Sequence, residues 1–398
     1  MLIENGIVFT GKEFEEGLSI RLMNGIVQEV GEGLRAEAGE KVIDLEGDYL
    51  LPGFVDVHIH AFRGSDTMRG ETDIRRMSRE LAGTGTGAFC PTTMSASIED
   101  TAKAIADTRK VMEQPERNGA RVLGVHMEAP FLSEKHAGAQ KQEYFCDPDW
   151  EKLLNMAEDP SLVRLITMAP EREDSEEFIR RATAAGIHVS IGHTHATAEQ
   201  VHQAADWGAD HITHTFNAQT PLHHREPGVP GASMTDERFY CEMICDGKHL
   251  HDDIVRLIIL CKGAEKAVAI TDAMEAAGMP DGEYSLGGQP VFVKDGAARL
   301  ENGTLAGSVL TMNEALHNLI HRYGADPVSA CKMCTSTPAQ SIGESVAGNM
   351  VPGSPAILTR WSRKWEMKIS RRFSRLFCEV FPERTARRTP WLFPSIPD

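Results

Sequence analysis

From Val55 onward, short apolar runs alternate with amphipathic stretches, the pattern of a parallel sheet assembled from βα units. The runs read as strands at VDVHIH (55–60), AFCPTT (88–93), VLGVHMEAP (122–130), VRLITMAPE (163–171), HVSIGHT (188–194), HITHTF (211–216), FYCEMICDG (239–247) and AVAITDA (267–273). Helical spacing occupies TDIRRMSRELAGT, SIEDTAKAIADTRKVMEQ, SEEFIRRATAAG and TAEQVHQAADWG between them. Eight strands so spaced predict an α/β protein built on a (β/α)8 TIM barrel, with a doubly wound open sheet as the alternative.

Residues 2–50 follow a different rule. They read as short strands with Asn5-Gly6 and Asn24-Gly25 as hairpin dipeptides, which makes a small β module. Residues 281–305 read as an inserted hairpin, with Gly287-Gly288 and Asp295-Gly296 at its turns. The chain thus divides into residues 1–52, a barrel over 53–345, and a C-terminal segment, 346–398.

Composition narrows the partners more than the fold. The 398-residue chain is 41% hydrophobic, enough for a sizeable core. Its formal net charge of −17 speaks against a nucleic-acid or anionic-membrane surface but permits a small basic pocket for an anionic ligand. No run approaches a spanning length of about 18 apolar residues, and MLIENGIVFTGKEF lacks a basic-then-apolar start, so a cytoplasmic protein without a membrane partner is expected. Cys331-Lys-Met-Cys334 stands without a second pair, and the cysteines read as reduced thiols.

Polar groups recur at the C-terminal ends of the strands, the face on which such barrels carry their active sites: His58 and His60, Glu128, His193, His214 and Asp272. Singly, each reads as a hydrogen-bonded structural residue. Together they would carry a large desolvation cost in an apolar mouth unless a divalent cation compensated them. Imidazole and carboxylate donors suit zinc or iron(II), with an open position for an acidified water. Asp272 is the candidate general base, and Asp56, deeper on the same strand face as His58, the supporting carboxylate. Arg225, beside His223 and His224, and His249 in DGKHLH lie on loops suited to binding a phosphate.

The words PGFVDVHIH, PTT (91–93), GVHMEAPF, TMAPE, GHTHAT, THTFNAQTPLHHREPG, DGKH, TDA and GTLAGS (303–308) run in order along the chain. In this series the sequence resembles the N-acetylglucosamine-6-phosphate deacetylases of the amidohydrolase superfamily. That resemblance implies a metal-dependent barrel with a small β-sandwich made from both termini, and removal of an acetyl group from a phosphorylated amino sugar. It assigns Glu128, His193 and His214 to the main metal and Asp272 as the catalytic acid and base. Ala139, Gln140, Asn217, Ala218, Arg225, His249, Leu305, Ala306, Gly307 and Ser308 become expected substrate contacts, Arg225 reaching the neighbouring site of a homodimer. His58 and His60 argue for a second cation, against one cation with two supporting histidines. Rival amidohydrolases that bridge two metals with a modified lysine need a Lys on the fourth strand, and VRLITMAPE has none. A catalytically silent barrel is the alternative from another class.

Gln140 stands where a histidine is common in the family, Ala129 where glycine is commoner, and His195 where asparagine is frequent. The likeness stops after GNMVPGSPA. From Ile357 the chain carries ten Lys/Arg against four Asp/Glu and three of its five tryptophans. The change reads as a frameshift near residue 356, in the gene or its sequencing, against a divergent tail that packs. A frameshift predicts a poorly ordered tail and N-terminal strands without their pairing partners.

Overall fold

The computed structural model of the protein describes residues 1–368. Its centre is a ring of parallel strands, β1 (Phe54–Ile59), β2 (Thr86–Thr93), β3 (Val125–Met127), β4 (Val163–Met168), β5 (His188–Ile191), β6 (His211–Ile212), β7 (Tyr240–Ile244) and β8 (Ala267–Ile270), each paired with the next. The ring closes where Asp272 N–H donates to the His58 carbonyl and Ala273 bridges Ile59. Helices cover the outside, so the strands are apolar on both faces. Two of the predicted helices start at caps: Ser97 accepts the Asp100 N–H, and Thr197 with Gln200 forms a capping box.

The ladders are shorter than the apolar runs that predict them. The third run breaks at Gly124, whose φ of +145° suits only glycine, leaving β3 three residues long. His193, His214 and Asp272 fall just past the ends of their strands and take φ of 48°, 29° and 49°. This left-handed backbone costs a residue with a Cβ roughly 1–3 kcal/mol. It turns the chain out of the ladder just where these side chains meet.

The small domain is two four-stranded sheets. One runs 26–32, 18–23, 2–4, 42–44; the other 358–361, 49–52, 7–9, 14–16. Ile3, Val8, Ile20, Leu22 and Leu50 share a core with Met350, Ala356 and Leu358, so both chain ends build it. The expected loss of pairing partners is not seen at this edge. Leu358–Trp361 pairs antiparallel with Tyr49–Pro52, Trp361 is buried against Phe54, and Trp365 stacks on Tyr49 at 4.5 Å. Asp48 anchors the segment by accepting from Arg360 and from Lys368 at 2.7 Å. Alternate sides of a strand need only apolar residues of the right spacing, and Leu358 and Trp361 supply them. The rest of the basic tail, from residue 369, and its expected disorder lie outside the described residues.

Residues 282–299 form a three-stranded antiparallel insert whose Leu286, Val291 and Ala298 pack on Met94, Met274 and Ala306. Cys331 and Cys334 are free, buried thiols.

Candidate active site

Glu128, one residue past β3, is the hub. Its Oε1 lies 3.2 Å from His193 Nε2 and 3.1 Å from His214 Nε2, and these two nitrogens are 3.1 Å apart. Its Oε2 lies 3.2 Å from His60 Nε2. Asp272 Oδ1 is 3.3 Å from His60 Nε2 and 3.6 Å from His58 Nε2. All six side chains are buried.

Hydrogen bonds on the far side of the rings aim them. His193 Nδ1 donates to the His136 carbonyl at 2.9 Å, His60 Nδ1 to the Thr92 carbonyl at 3.3 Å, and His58 Nδ1 to Glu242 at 3.0 Å. Each acceptor can only accept, so Nδ1 holds the proton and Nε2 turns a lone pair into the site. His58 Nε2, fully buried, has no hydrogen-bond partner. Converging lone pairs and two carboxylates repel one another unless positive charge lies between them. Short of a cation, a proton on the imidazoles supplies that charge: burial alone would lower the His60 pKa, but Asp272 and Glu128 push it up to about 9. Burial would likewise raise Glu128, yet His58 and His193 hold it well below the usual carboxylate range. The donor set fits a divalent cation at Glu128, His193 and His214, and a second group of donors, His58, His60 and Glu128, has the chemistry for another, the carboxylate being common to both.

A cavity of about 420 Å³ opens over these groups. Asn217, Ala218 and His249 line it from one side, Ala139 and Gln140 from another, and Leu305 and Gly307 from the loop after the insert. Arg225, Ala306 and Ser308 are not among its walls. Ala306 is buried under the insert. Ser308 braces Asp272 from behind, donating its N–H to the Asp272 carbonyl at 2.7 Å and its hydroxyl to the Thr271 carbonyl. Arg225 sits on an exposed loop, with Nη1 2.8 Å from His224 Nε2.

Gln140, in the cavity wall, also braces the donor set. Its Oε1 accepts the Ser95 N–H at 2.8 Å and its Nε2 donates to Glu128 Oε2, so it holds the hub carboxylate in place. His195 faces Glu171, 2.8 Å away, outside the cavity. Asp56 accepts the Thr271 hydroxyl at 2.6 Å and the His58 N–H at 3.4 Å; it ties the backbones of β1 and β8 and touches no imidazole. Burial pushes its carboxyl up to about 7. Residues that the sequence reading passed over are Lys135 and His136 in the cavity wall and Glu242 beneath His58. Glu242 left one signal: a lone acid inside an apolar strand, where ionisable groups are rare without a partner.

A parallel barrel whose strand ends gather imidazoles and carboxylates under a polar cavity defines a hydrolase of the kind that works with a bound divalent cation. The chain belongs to the amidohydrolase family, which matches residues 49–378. It is 37% identical over 348 residues to the N-acetylglucosamine-6-phosphate deacetylase of Bacillus subtilis (strain 168), covering 86% of this chain and 88% of that protein. It is 35% identical over 320 residues to the N-acetylgalactosamine-6-phosphate deacetylase of Escherichia coli O157:H7, covering 79% and 84%. The fold matches the crystal structure of N-acetylglucosamine-6-phosphate deacetylase from Pasteurella multocida with a TM-score of 0.85 at 28% identity, over 92% of this chain and 96% of that one. An aspartate-to-alanine mutant of the Mycobacterium smegmatis enzyme, in complex with N-acetyl-D-glucosamine 6-phosphate, matches with a TM-score of 0.84 at 30% identity, over the same shares.

Proposed function

We propose that this chain removes the acetyl group of N-acetyl-D-glucosamine 6-phosphate, giving D-glucosamine 6-phosphate and acetate in amino-sugar catabolism. The observation that carries this reading is the meeting of Asp272 and a cation donor set under one cavity, in a chain similar to deacetylases along most of its length. Glu128, His193 and His214 would hold a divalent cation, zinc or iron(II), which when bound would supply Lewis acidity toward the acetyl carbonyl and toward water.

The protein's own groups do the rest. Burial would raise the Asp272 carboxyl, but His58 and His60 hold it below the usual range, so it is ionised at neutral pH. It accepts a proton from the attacking water and delivers it to the sugar nitrogen as the C–N bond breaks; the water oxygen ends in acetate. Gln140 holds the Glu128 carboxylate, and Ser308 fixes the backbone that carries Asp272. Burial would lower the His249 pKa, but its hydrogen bond to Asp246 at 2.7 Å raises it, which favours a cationic ring for phosphate. Asn217, Ala218, Ala139, Leu305 and Gly307 shape the sugar site, and Lys135 adds a formal positive charge at its wall.

The chain acts as a cytoplasmic homodimer in this reading, with Arg225 completing the phosphate pocket of the partner subunit. Exposure of the whole 221–227 loop, including Leu222 at 45%, supports it, and no helix among the described residues is long and apolar enough to cross a membrane. Arg225→Ala should raise KM about 10- to 100-fold with kcat unchanged, the worth of a charged hydrogen bond; sedimentation velocity reads the dimer.

The decisive assay is acetate release after chelation and reloading with Zn, Fe(II), Co or Mn. Cation-dependent release, faster on N-acetylglucosamine 6-phosphate than on N-acetylgalactosamine 6-phosphate, is expected. No cation-dependent release overturns the reading. A preference for the galactosamine epimer would move the substrate to that of the Escherichia coli relative.

A further inference from the structure

Glu242 lies in the middle of β7 and is fully buried. A carboxylate in a strand covered on both faces needs strong partners. It spends one oxygen on two: Oε2 accepts His58 Nδ1–H at 3.0 Å and the backbone N–H of His214 at 3.1 Å. The other oxygen has no hydrogen-bond partner. The two contacts belong to different groups of donors, since His214 stands with His193 and His58 with His60, and the two groups meet at Glu128. Asp56 cannot serve this purpose, because its hydrogen bonds go to the backbones and the Thr271 hydroxyl.

We propose that Glu242 is the positioning residue that aims His58 at a second divalent cation, and that its carboxylate decides whether the chain holds two cations or one. The inference rests on the reading of this site as a cation centre. Accepting from Nδ1–H fixes the His58 tautomer and makes Nε2 a better donor, and Nε2 is the ring atom that no protein group satisfies. Through the His214 N–H, the same carboxylate steadies the backbone of the first set.

Chelated full-length protein titrated with Zn(II) by calorimetry, with metal per chain counted by mass spectrometry, tests this. Wild type should take up two equivalents. Glu242→Gln, which keeps the shape and removes the charge, should retain the first and lose about 10- to 100-fold in affinity for the second. In a His58→Gln background it should change nothing further. Unchanged binding of both equivalents in Glu242→Gln, or an equal loss in the His58→Gln background, overturns the proposal. If Glu242→Gln does not fold, Glu242→Asp draws the carboxylate back by one methylene, and wild-type second-site affinity there overturns it equally. Failure of wild type to bind any cation would instead sink the reading of the centre itself.

Discussion

The barrel carries two histidine–carboxylate clusters, one at each end. At the N-terminal end, where β5 and β6 begin, Asp210 takes His188 Nδ1 on one oxygen and His211 Nδ1 on the other, both at 2.7 Å. Each N–H has one acceptor and each oxygen one donor. His211 Nε2, on the far side of the ring, is buried without a partner. At the C-terminal end, four imidazoles crowd Glu128, two of them with nitrogens 3.1 Å apart. Residue types are the same at both ends. What separates a structural cluster from a site is whether hydrogen bonds close the account or leave lone pairs facing one another.

The sharpest test of that contrast is a neutral swap at each end. Asp272→Asn should cut kcat by about 10²–10⁴, the usual contribution of general acid–base catalysis, while the first cation, at Glu128, His193 and His214, stays bound. Asp210→Asn should leave kcat alone. Equal activity losses in the two variants would erase the distinction.

Imidazole removal comes next. His214→Ala should abolish tight binding of the first cation, read as metal per chain after dialysis. His211→Ala should keep the metal and lose about 0.5–1.5 kcal/mol of stability in urea, the worth of an ordinary hydrogen bond, since water can reach the freed Asp210 oxygen. Metal loss in His211→Ala would show that the lower cluster also holds a cation.

Chelation should then destabilise the upper end alone. A cation at about 100 times its Kd adds about 2.7 kcal/mol to the folded state. Wild type should melt lower after chelation, and His193→Ala should melt alike with and without added cation.

The barrel was legible because apolar runs and helical spacing alternate from Val55 to Ala273 with few interruptions. What the pattern blurred were the strand ends. HVSIGHT and HITHTF read as continuous strands, whereas the ladders stop at Ile191 and Ile212, because His193 and His214 adopt a backbone that no local propensity favours. The convergence of the donors could be read from their recurrence at strand ends. Glu242 could not, since its partners come from strands 184 and 28 residues away along the chain. The strand at Leu358–Trp361 escaped the reading for the opposite reason. Its basic, tryptophan-rich neighbourhood reads as foreign, yet an exposed sheet edge accepts any segment with apolar residues suitably spaced and a charge to meet Asp48.

The smallest effect expected is in the acid stability of the lower cluster. Burial would raise the Asp210 carboxyl, but the nearby His211 and the hydrogen bonds from His188 and His211 hold it well below the ordinary value. A group whose folded pKa is depressed stabilises the fold fully above its unfolded pKa, about 3.9 for Asp, and loses that contribution as pH falls toward the folded value. The Asp210 side chain is 31% exposed, so screening by water keeps the amount small. The urea midpoints of wild type and Asp210→Asn should differ by a constant margin down to about pH 5 and converge below about pH 4. The upper cluster should fail earlier on the same descent, because its histidines must be neutral to hold a cation. A margin that stayed flat through pH 3 would mean that Asp210 is not the charged partner of the two imidazoles, and that the lower cluster is closed by something other than its carboxylate.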